Sequence, residues 1–358
     1  MIYLDYQATT PLAPEARDAM LRWLDGPEGT GFGNPHSPHK LGRQAAAAVE
    51  VARDQVAALF PPGGKVIFTS GATEAINLAI RGSGSQGSVA VSAIEHAAVL
   101  DTARATGKCH ELSVASDGQC SVDQDVPADT RLIAVMQVNN EIGTVQPTIE
   151  WHRKAKTANA LYLCDAVQAY GKIEVTGADM IAVSAHKLHG PKGVGALWIR
   201  DGVSLKETQT GGGQEGGLRS GTLSPALCAG FGAAAAVARE RREDDAAHIE
   251  ALWSRARELF AGWEVNGSES ARWHGNLNIR REGLDVNRLM SECRDVMFSA
   301  GSACASGSGR PSHVLKAIGL NDKQAKSSIR LGWGRYTSQD DIEQAARAIN
   351  AAAKEQGV

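Results

Sequence analysis

The sequence predicts an α/β protein, with a large domain on a mostly parallel sheet covered by helices on both faces and a smaller α+β domain beside it. Three observations predict it. Between residues 65 and 199 short apolar runs alternate with helix-length segments, the rhythm of strand–helix–strand units in a parallel sheet. At 358 residues the chain exceeds the size at which one core keeps growing. A charged run, Arg241-Arg242-Glu243-Asp244-Asp245, then separates this region from one of different rhythm. The expected division is a large domain over 14–240 and a small domain made of 1–13 and 241–358.

In chain order, Gln7-Ala8-Thr9-Thr10-Pro11 reads as a turn before a helix over 14–24. The glycine-rich loop 29–35 follows, and then an amphipathic helix over 40–60, stopped by Pro61-Pro62-Gly63-Gly64. Strands are expected over 66–69, 88–91, 132–136, 161–163, 180–183 and 196–199, with helices over 72–81 and 148–160 between some of them. An alanine-rich helix over 227–240 runs into the charged segment, which is most simply a solvated helix face. The second region carries strands near 276–279 and 296–298 and helices near 284–293, 312–318 and 339–354.

Composition bounds the partners. Hydrophobic content of 43% and charged content of 22% are those of an ordinary globule. A formal net charge of -3 gives no reason to expect nucleic acid or an anionic membrane as partner. The start, Met1-Ile2-Tyr3-Leu4-Asp5-Tyr6, has no basic stretch leading into an apolar one, and no later run reaches membrane-spanning length, so a cytoplasmic protein is expected. The six cysteines include no C-x-x-C pair, so no metal site or disulfide framework is signalled. Cys164, inside Leu161-Tyr162-Leu163-Cys164, reads as a buried thiol.

The chemistry gathers behind the strands. Ser184-Ala185-His186-Lys187-Leu188-His189-Gly190-Pro191-Lys192-Gly193 follows an apolar run, which puts Lys187 where a sheet meets a cavity. Among apolar walls its ammonium loses hydration and its pKa falls, giving a neutral amine able to form a Schiff base with an aldehyde cofactor. Ser70-Gly71-Ala72-Thr73-Glu74 follows a strand and opens a helix, a seat for phosphate on backbone amides; no Gly-Lys-Ser/Thr follows, so it is not a Walker loop. Asp165 ends another strand, where a carboxylate can hold the proton of a pyridinium ring, and Gln168 follows on the turn within reach of the ring's phenolic oxygen. His96, again after a strand, can lie on an aromatic cofactor and move protons near neutral pH. Singly these are a surface lysine, two helix caps and a solvated histidine. Four strand ends that each deliver such a group are the specific signal.

With these residues stand Tyr3-Leu4-Asp5-Tyr6 with Ala8-Thr9-Thr10-Pro11, Phe32-Gly33-Asn34-Pro35, Val138-Asn139-Asn140-Glu141-Ile142-Gly143, Gly190-Pro191-Lys192-Gly193, Arg219-Ser220-Gly221-Thr222 and Ser299-Ala300-Gly301-Ser302-Ala303-Cys304. Together and in this order they resemble the cysteine desulfurases of the NifS/IscS type, in the class V aminotransferase group of pyridoxal 5'-phosphate enzymes of fold type I, from end to end. The resemblance implies that Lys187 holds the cofactor, Asp165 its ring nitrogen, Gln168 its phenolic oxygen and His96 its face. Ala72, Thr73, Ser184 and His186 match the phosphate shell, with Thr222 reaching in from the other protomer of a homodimer. Asn139 matches an asparagine beside cofactor and substrate, Asn34 a further substrate contact, and Arg330 the clamp on the substrate carboxylate, with Arg335 as competing candidate.

Cys304 decides the reaction that the resemblance implies. It sits in Gly301-Ser302-Ala303-Cys304-Ala305-Ser306-Gly307-Ser308-Gly309, residues too small to pack a core, so the thiol is expected on a loop that can visit the cofactor and carry sulfur away. L-cysteine would give L-alanine and a persulfide on Cys304, the sulfur passing to an acceptor or iron-sulfur scaffold protein for cluster assembly or other thiolation. No metal is required, and Cys304 would contact an iron-sulfur cluster only transiently. A selenocysteine lyase or aminotransferase of the same fold would use the same Lys187, Asp165 and His96 without depending on Cys304. A non-enzymatic platform for iron-sulfur assembly is the remaining alternative. The chain stops at Val358, where relatives that dock an iron-sulfur scaffold carry a longer tail, so the scaffold partner is left open.

Overall fold

The computed structural model describes residues 1–301 and 311–358, so the expected sulfur carrier Cys304 lies outside the described residues. After a short strand β1 (Ile2–Tyr3) come two helices, α1 (Pro14–Leu21) and α2 (Lys40–Ala57). Pro14 opens α1 at the one helical position where a missing N–H is harmless, and the His39 side chain caps α2 by accepting from Gly42 N. Strand and helix then alternate: β2 (Gly64–Thr69), α3 (Ala72–Gly82), β3 (Ser88–Ser92), α4 (Ala97–Arg104), β4 (Cys109–Leu112), β5 (Thr130–Ala134), α5 (Thr148–Thr157), β6 (Leu161–Asp165), β7 (Met180–Ser184) and β8 (Gly195–Arg200).

These strands form one sheet in the order β2-β8-β7-β6-β5-β3-β4. β8 is antiparallel to both its neighbours and every other pairing is parallel, the mostly parallel sheet that the alternation predicts. β3 and β7 are buried at every position, which is why they read as continuous apolar runs. Phe68, Tyr162 and Trp198 pack on one face under α2 and α6 (Pro225–Glu240), while Leu163, Ala182 and Leu197 pack on the other against Ile76 and Leu78 of α3. The expected strand over 132–136 ends at Ala134, because the Met136 amide donates to Glu95 Oε1 and the Gln137 amide to Asp165 O. The first helix likewise stops at Leu21, three residues short of the expected end.

The rest of the chain builds α7 (Arg242–Leu259), β9 (Glu264–Val265), β10 (Asn276–Arg280), α8 (Val286–Glu292), β11 (Val296–Met297), β12 (Ser299–Ala300), α9 (His313–Ala317), α10 (Asp322–Lys326), β13 (Ser328–Gly332) and α11 (Gln339–Glu355). An antiparallel sheet β12-β13-β10-β9 and the pair β1–β11 share a core of Trp253, Phe260, Leu277, Ile329, Leu331, Trp333 and Ile349 with α7 and α11. The charged run opens α7, whose buried residues are Leu252, Trp253 and Ala256. Among the described residues no helix is long and apolar enough to cross a membrane.

Candidate functional site

Every parallel strand of the large sheet points its carboxyl end the same way, and there a cavity of about 550 Å³ opens. Its floor is Lys187, which follows β7 in a single tight turn over Ala185–Lys187. The Lys187 Nζ donates to the carbonyls of Gln7 and Ala8, the latter at 2.7 Å, so the chain's first loop holds the amine in place. His186 turns beside it, its Nδ1 3.1 Å from Thr9 Oγ1. Burial, helped by the charge on Lys187, pushes the His186 imidazole down to about 4, so it stays neutral near pH 7.

Asp165 closes β6, is 5% exposed as a residue and lines the same cavity. Oδ1 accepts from Val167 N at 2.9 Å. Burial raises the Asp165 pKa against the opposing pull of His96, the Val167 amide and Lys187, a carboxyl suited to sharing a proton with a base set against it. His96 is the residue that caps α4: its Nδ1 accepts from Ala98 N at 3.0 Å, so the neutral ring carries its proton on Nε2. Burial also lowers the His96 pKa, with Asp165 opposing and Lys187 and His313 assisting. Gln168 donates from Nε2 to Gln7 O at 3.0 Å.

The opposite wall is the start of α3. Ser70, Gly71, Ala72 and Thr73 line the cavity with Ser184, His186 and Lys192, which sets helix amides and the positive end of the helix dipole beside the cationic side chain of Lys192. Gly195 of β8 lies directly behind: a Cβ there would meet Gly71 Cα at 2.7 Å, so glycine is needed for the approach. Glu74 also faces this wall and pairs with Arg219 at 2.6 Å while accepting from Ser70 N. Burial opposes its charge, yet Arg219 and Ser70 outweigh it and hold the carboxyl below its ordinary range.

Arg330, delivered by β13, is 1% exposed and reaches the cavity from the antiparallel sheet. Nη2 pairs with Asp5 Oδ1 at 2.8 Å and Nη1 donates to Asn140 O at 3.0 Å, while Nε has no hydrogen-bond partner among the described residues. A buried unsatisfied donor costs about 1–3 kcal/mol, which an incoming carboxylate would recover. Arg335, the competing candidate, gives Nε and Nη2 to Asp245 and does not line this cavity.

The cavity thus unites Lys187, Asp165, Gln168, His96, Ala72, Thr73, Ser184, His186 and Arg330. Asn139 is a correction to the sequence reading. It is fully buried, its Nδ2 donating to Ile94 O and its Oδ1 accepting from Glu141 N and Ile142 N, so it builds the turn and Asn140 lines the cavity instead. Asn34 and Thr222 are exposed and do not line this chain's cavity. Sequence reasoning missed Gln7 and Ala8, which act through carbonyls that no side-chain pattern reveals, and Lys192, which the motif Gly190-Pro191-Lys192-Gly193 contained.

Comparison with known proteins agrees with this geometry. Residues 2–345 match the family model described as aminotransferase class-V. The chain is 40% identical to the mitosomal cysteine desulfurase of Trachipleistophora hominis, over 99% of this chain and 86% of that protein. It is 39% identical to the cysteine desulfurase IscS of Shewanella denitrificans, over 97% and 91% respectively. A solved NifS-like protein superposes with a TM-score of 0.90 at 29% identity, covering 99% of both chains.

Proposed function

This chain belongs to the aminotransferase class-V family, and from that premise we propose that its cavity is the active site of a cysteine desulfurase that converts L-cysteine to L-alanine and carries the sulfur away on Cys304. The observation that carries the reading is one cavity in which Lys187, Asp165, His96, the α3 N-terminus and Arg330, whose Nε has no partner among the described residues, meet. These groups fit pyridoxal phosphate and an amino acid: a helix end for the phosphate, a buried acid for the ring nitrogen, an amine for the aldehyde, an arginine for the carboxylate.

When bound, pyridoxal phosphate supplies an aldehyde for the substrate amine and an electron-poor ring that takes the charge left at the α-carbon. The amides of Ala72 and Thr73, with Ser184, His186 and Lys192, bind the phosphate. Asp165 holds a proton at the ring nitrogen, and Gln168 turns an N–H toward the phenolic oxygen. Lys187 Nζ holds the aldehyde in the resting enzyme and, once the substrate amine has replaced it, removes the α-proton. Arg330 fixes the substrate carboxylate. The Cys304 thiolate attacks the substrate sulfur: a sulfur–sulfur bond forms as the carbon–sulfur bond breaks, and the electron pair stays with the substrate carbon, which is protonated to give L-alanine. His96 moves the proton at Nε2 beside the departing sulfur. L-cysteine and one thiol become L-alanine and one persulfide, with no outside oxidant or reductant.

The same reading makes the protein a homodimer. Asn34 and Thr222 are exposed and outside this chain's cavity, as residues that complete a second copy's site would be. A groove of about 700 Å³ between α1, α2 and α6, lined by Ala47, Ala48, Val51, Ala229 and Ala233, lies open near Phe32, which is 65% exposed. It also divides the chain into a large domain over 14–240 and a small one made of 1–13 and 241–358. A cytoplasmic protein that hands sulfur to an acceptor or iron-sulfur scaffold protein, with no direct role for nucleic acid or membrane, accords with the net charge of -3.

The test is to incubate the holoenzyme with L-cysteine, with and without reductant, and weigh it. One added sulfur on the Cys304 peptide, an equal amount of L-alanine, and loss of both in Cys304→Ser are expected. Alanine formed at the normal rate by Cys304→Ser would overturn the reading.

A further inference from the structure

Behind the Lys187 floor lies a second, smaller chamber, and it holds a lysine that the reaction does not use. Lys172 lines it half-buried, four residues after Gln168 on the turn that follows β6. That turn is helical: Tyr170 N donates to Ala166 O, and Ile173 N to Ala169 O, which puts Gln168 and Lys172 on one face. Lys172 Nζ donates to Gln168 Oε1 at 3.3 Å and sits over the Trp273 ring, 4.5 Å from its centroid. Among the described residues it forms no ion pair with a carboxylate. Gln168 spends its other end on Gln7 O, the carbonyl that also accepts from Lys187 Nζ. One chain of contacts therefore joins Trp273, Lys172, Gln168, Gln7 and Lys187.

An amide side chain has two ends of nearly equal shape and opposite sense, and its neighbours decide which faces a ligand. With Oε1 accepting from Lys172 and one N–H given to Gln7 O, Gln168 has its second N–H left for the cavity. Were it reversed, a carbonyl oxygen would meet the anionic ring oxygen and repel it.

We propose that Lys172 is a positioning residue for the cofactor: it locks the Gln168 amide so that a donor faces the ring's phenolic oxygen and keeps that oxygen deprotonated. This rests on the assignment of Gln168 to that oxygen given above. Burial, with Lys187 adding to it, brings the Lys172 amine down to about 7, and the amine carries N–H donors for Oε1 in either protonation state. The charged and titratable groups that share the chamber are Tyr6, Lys187, His189, Arg242, Asp245 and Arg335. The Asp245 carboxylate is bound to Arg335, so its charge is already balanced.

The readout is the visible absorbance of the purified holoenzyme titrated over about pH 6 to 10, which follows the proton shared by the cofactor's chromophore. In Gln168→Ala that midpoint should rise by about one unit, because a donor to the anionic oxygen is gone. Lys172→Met and Lys172→Gln should each raise it by a similar amount, and either suffices if the other does not fold. The double variant Gln168→Ala with Lys172→Met should move no further than Gln168→Ala alone, and Lys172→Arg, which keeps a donor, should stay near the wild-type midpoint. If Gln168→Ala shifts the midpoint and neither neutral Lys172 variant does, the positioning role falls and the assignment of Gln168 stands. Additive shifts in the double variant would also overturn it, because Lys172 would then act by its charge and not through the amide. If Gln168→Ala moves nothing, the assignment of Gln168 falls, and the proposal with it.

Discussion

Arg330 and Arg335 stand five positions apart and look alike in sequence, but they have different work. Arg335 is committed to Asp245 through two nitrogens, whereas Arg330 lines the cavity with Nε unpaired among the described residues. Arg330→Lys keeps the charge and loses the planar pair of donors, so KM for L-cysteine should rise about 10–100-fold with a smaller change in kcat, while Arg335→Lys should lower the unfolding temperature and leave KM within about twofold. Steady-state kinetics on both variants check this, and equal effects on KM would show that the clamp is shared. His96 offers a second test. Its pKa is lowered by burial, so the ring stays neutral to lower pH than a free imidazole, and the acid limb of kcat/KM should lie below the ordinary histidine value of about 6.5. His96→Gln should remove that limb, and a wild-type limb above this value would contradict the neutral assignment. Lys187, Asp165 and His96 were legible in the sequence because each ends or follows an apolar run, whereas Arg330, inside β13, came only from the resemblance. The choice between Asn139 and Asn140 was not, since two adjacent asparagines differ only in which one the turn consumes.

At the scale of elements, most strands of the large sheet were legible because burial on both faces leaves an apolar run in each, as in Val89-Ala90-Val91 of β3 and Met180-Ile181-Ala182-Val183 of β7. β4 and β13 were not. β4 is Cys-His-Glu-Leu with only Leu112 buried, and β13 places a buried arginine among its apolar residues, so neither gives the apolar run that marks a strand. β13 is nevertheless the element that brings Arg330 to the site, held in register by five cross-strand partners on β10. The phosphate wall depends in the same way on an element that touches no ligand. Gly195 of β8 lets the backbone at Gly71 approach, and a methyl group there would meet Val183 O at 2.5 Å and Gly71 Cα at 2.7 Å. Gly195→Ala should therefore displace the entry to α3, weaken pyridoxal phosphate binding about tenfold and cost about 1–3 kcal/mol of stability. Absorbance titration of the apoenzyme with the cofactor and thermal unfolding measure the two effects separately. Lost stability with unchanged affinity would mean that β8 yields and α3 does not.

Across the whole molecule the site is assembled by the first ten residues, in which the sequence offered a turn over 7–11 and a motif of the resemblance but no role at the site. Leu4 O accepts from Gly332 N, Asp5 pairs with Arg330, Gln7 O and Ala8 O hold Lys187, and Thr10 N donates to His186 O. These contacts join positions up to 328 apart in the chain, from Leu4 to Gly332, a separation at which hydrophobic periodicity carries no information. The segment thus ties the β13 sheet, which carries the carboxylate clamp, to the amine that holds the cofactor. Asp5 is the joint, because its Oδ1 accepts from both Arg330 Nη2 and Ser299 Oγ. In Asp5→Asn a buried guanidinium loses its counter-charge, which should cost about 1–3 kcal/mol and lower the unfolding temperature of the free enzyme by several degrees. The product L-alanine brings a carboxylate to the same guanidinium and should make good part of that loss. Its affinity should therefore rise about 3–10-fold in the variant, and saturating L-alanine should raise the unfolding temperature more in Asp5→Asn than in wild type. An equal shift in the two proteins would mean that Asp5 and the ligand carboxylate do not compete for Arg330, and that the N-terminal segment holds the sheets together without tuning the clamp.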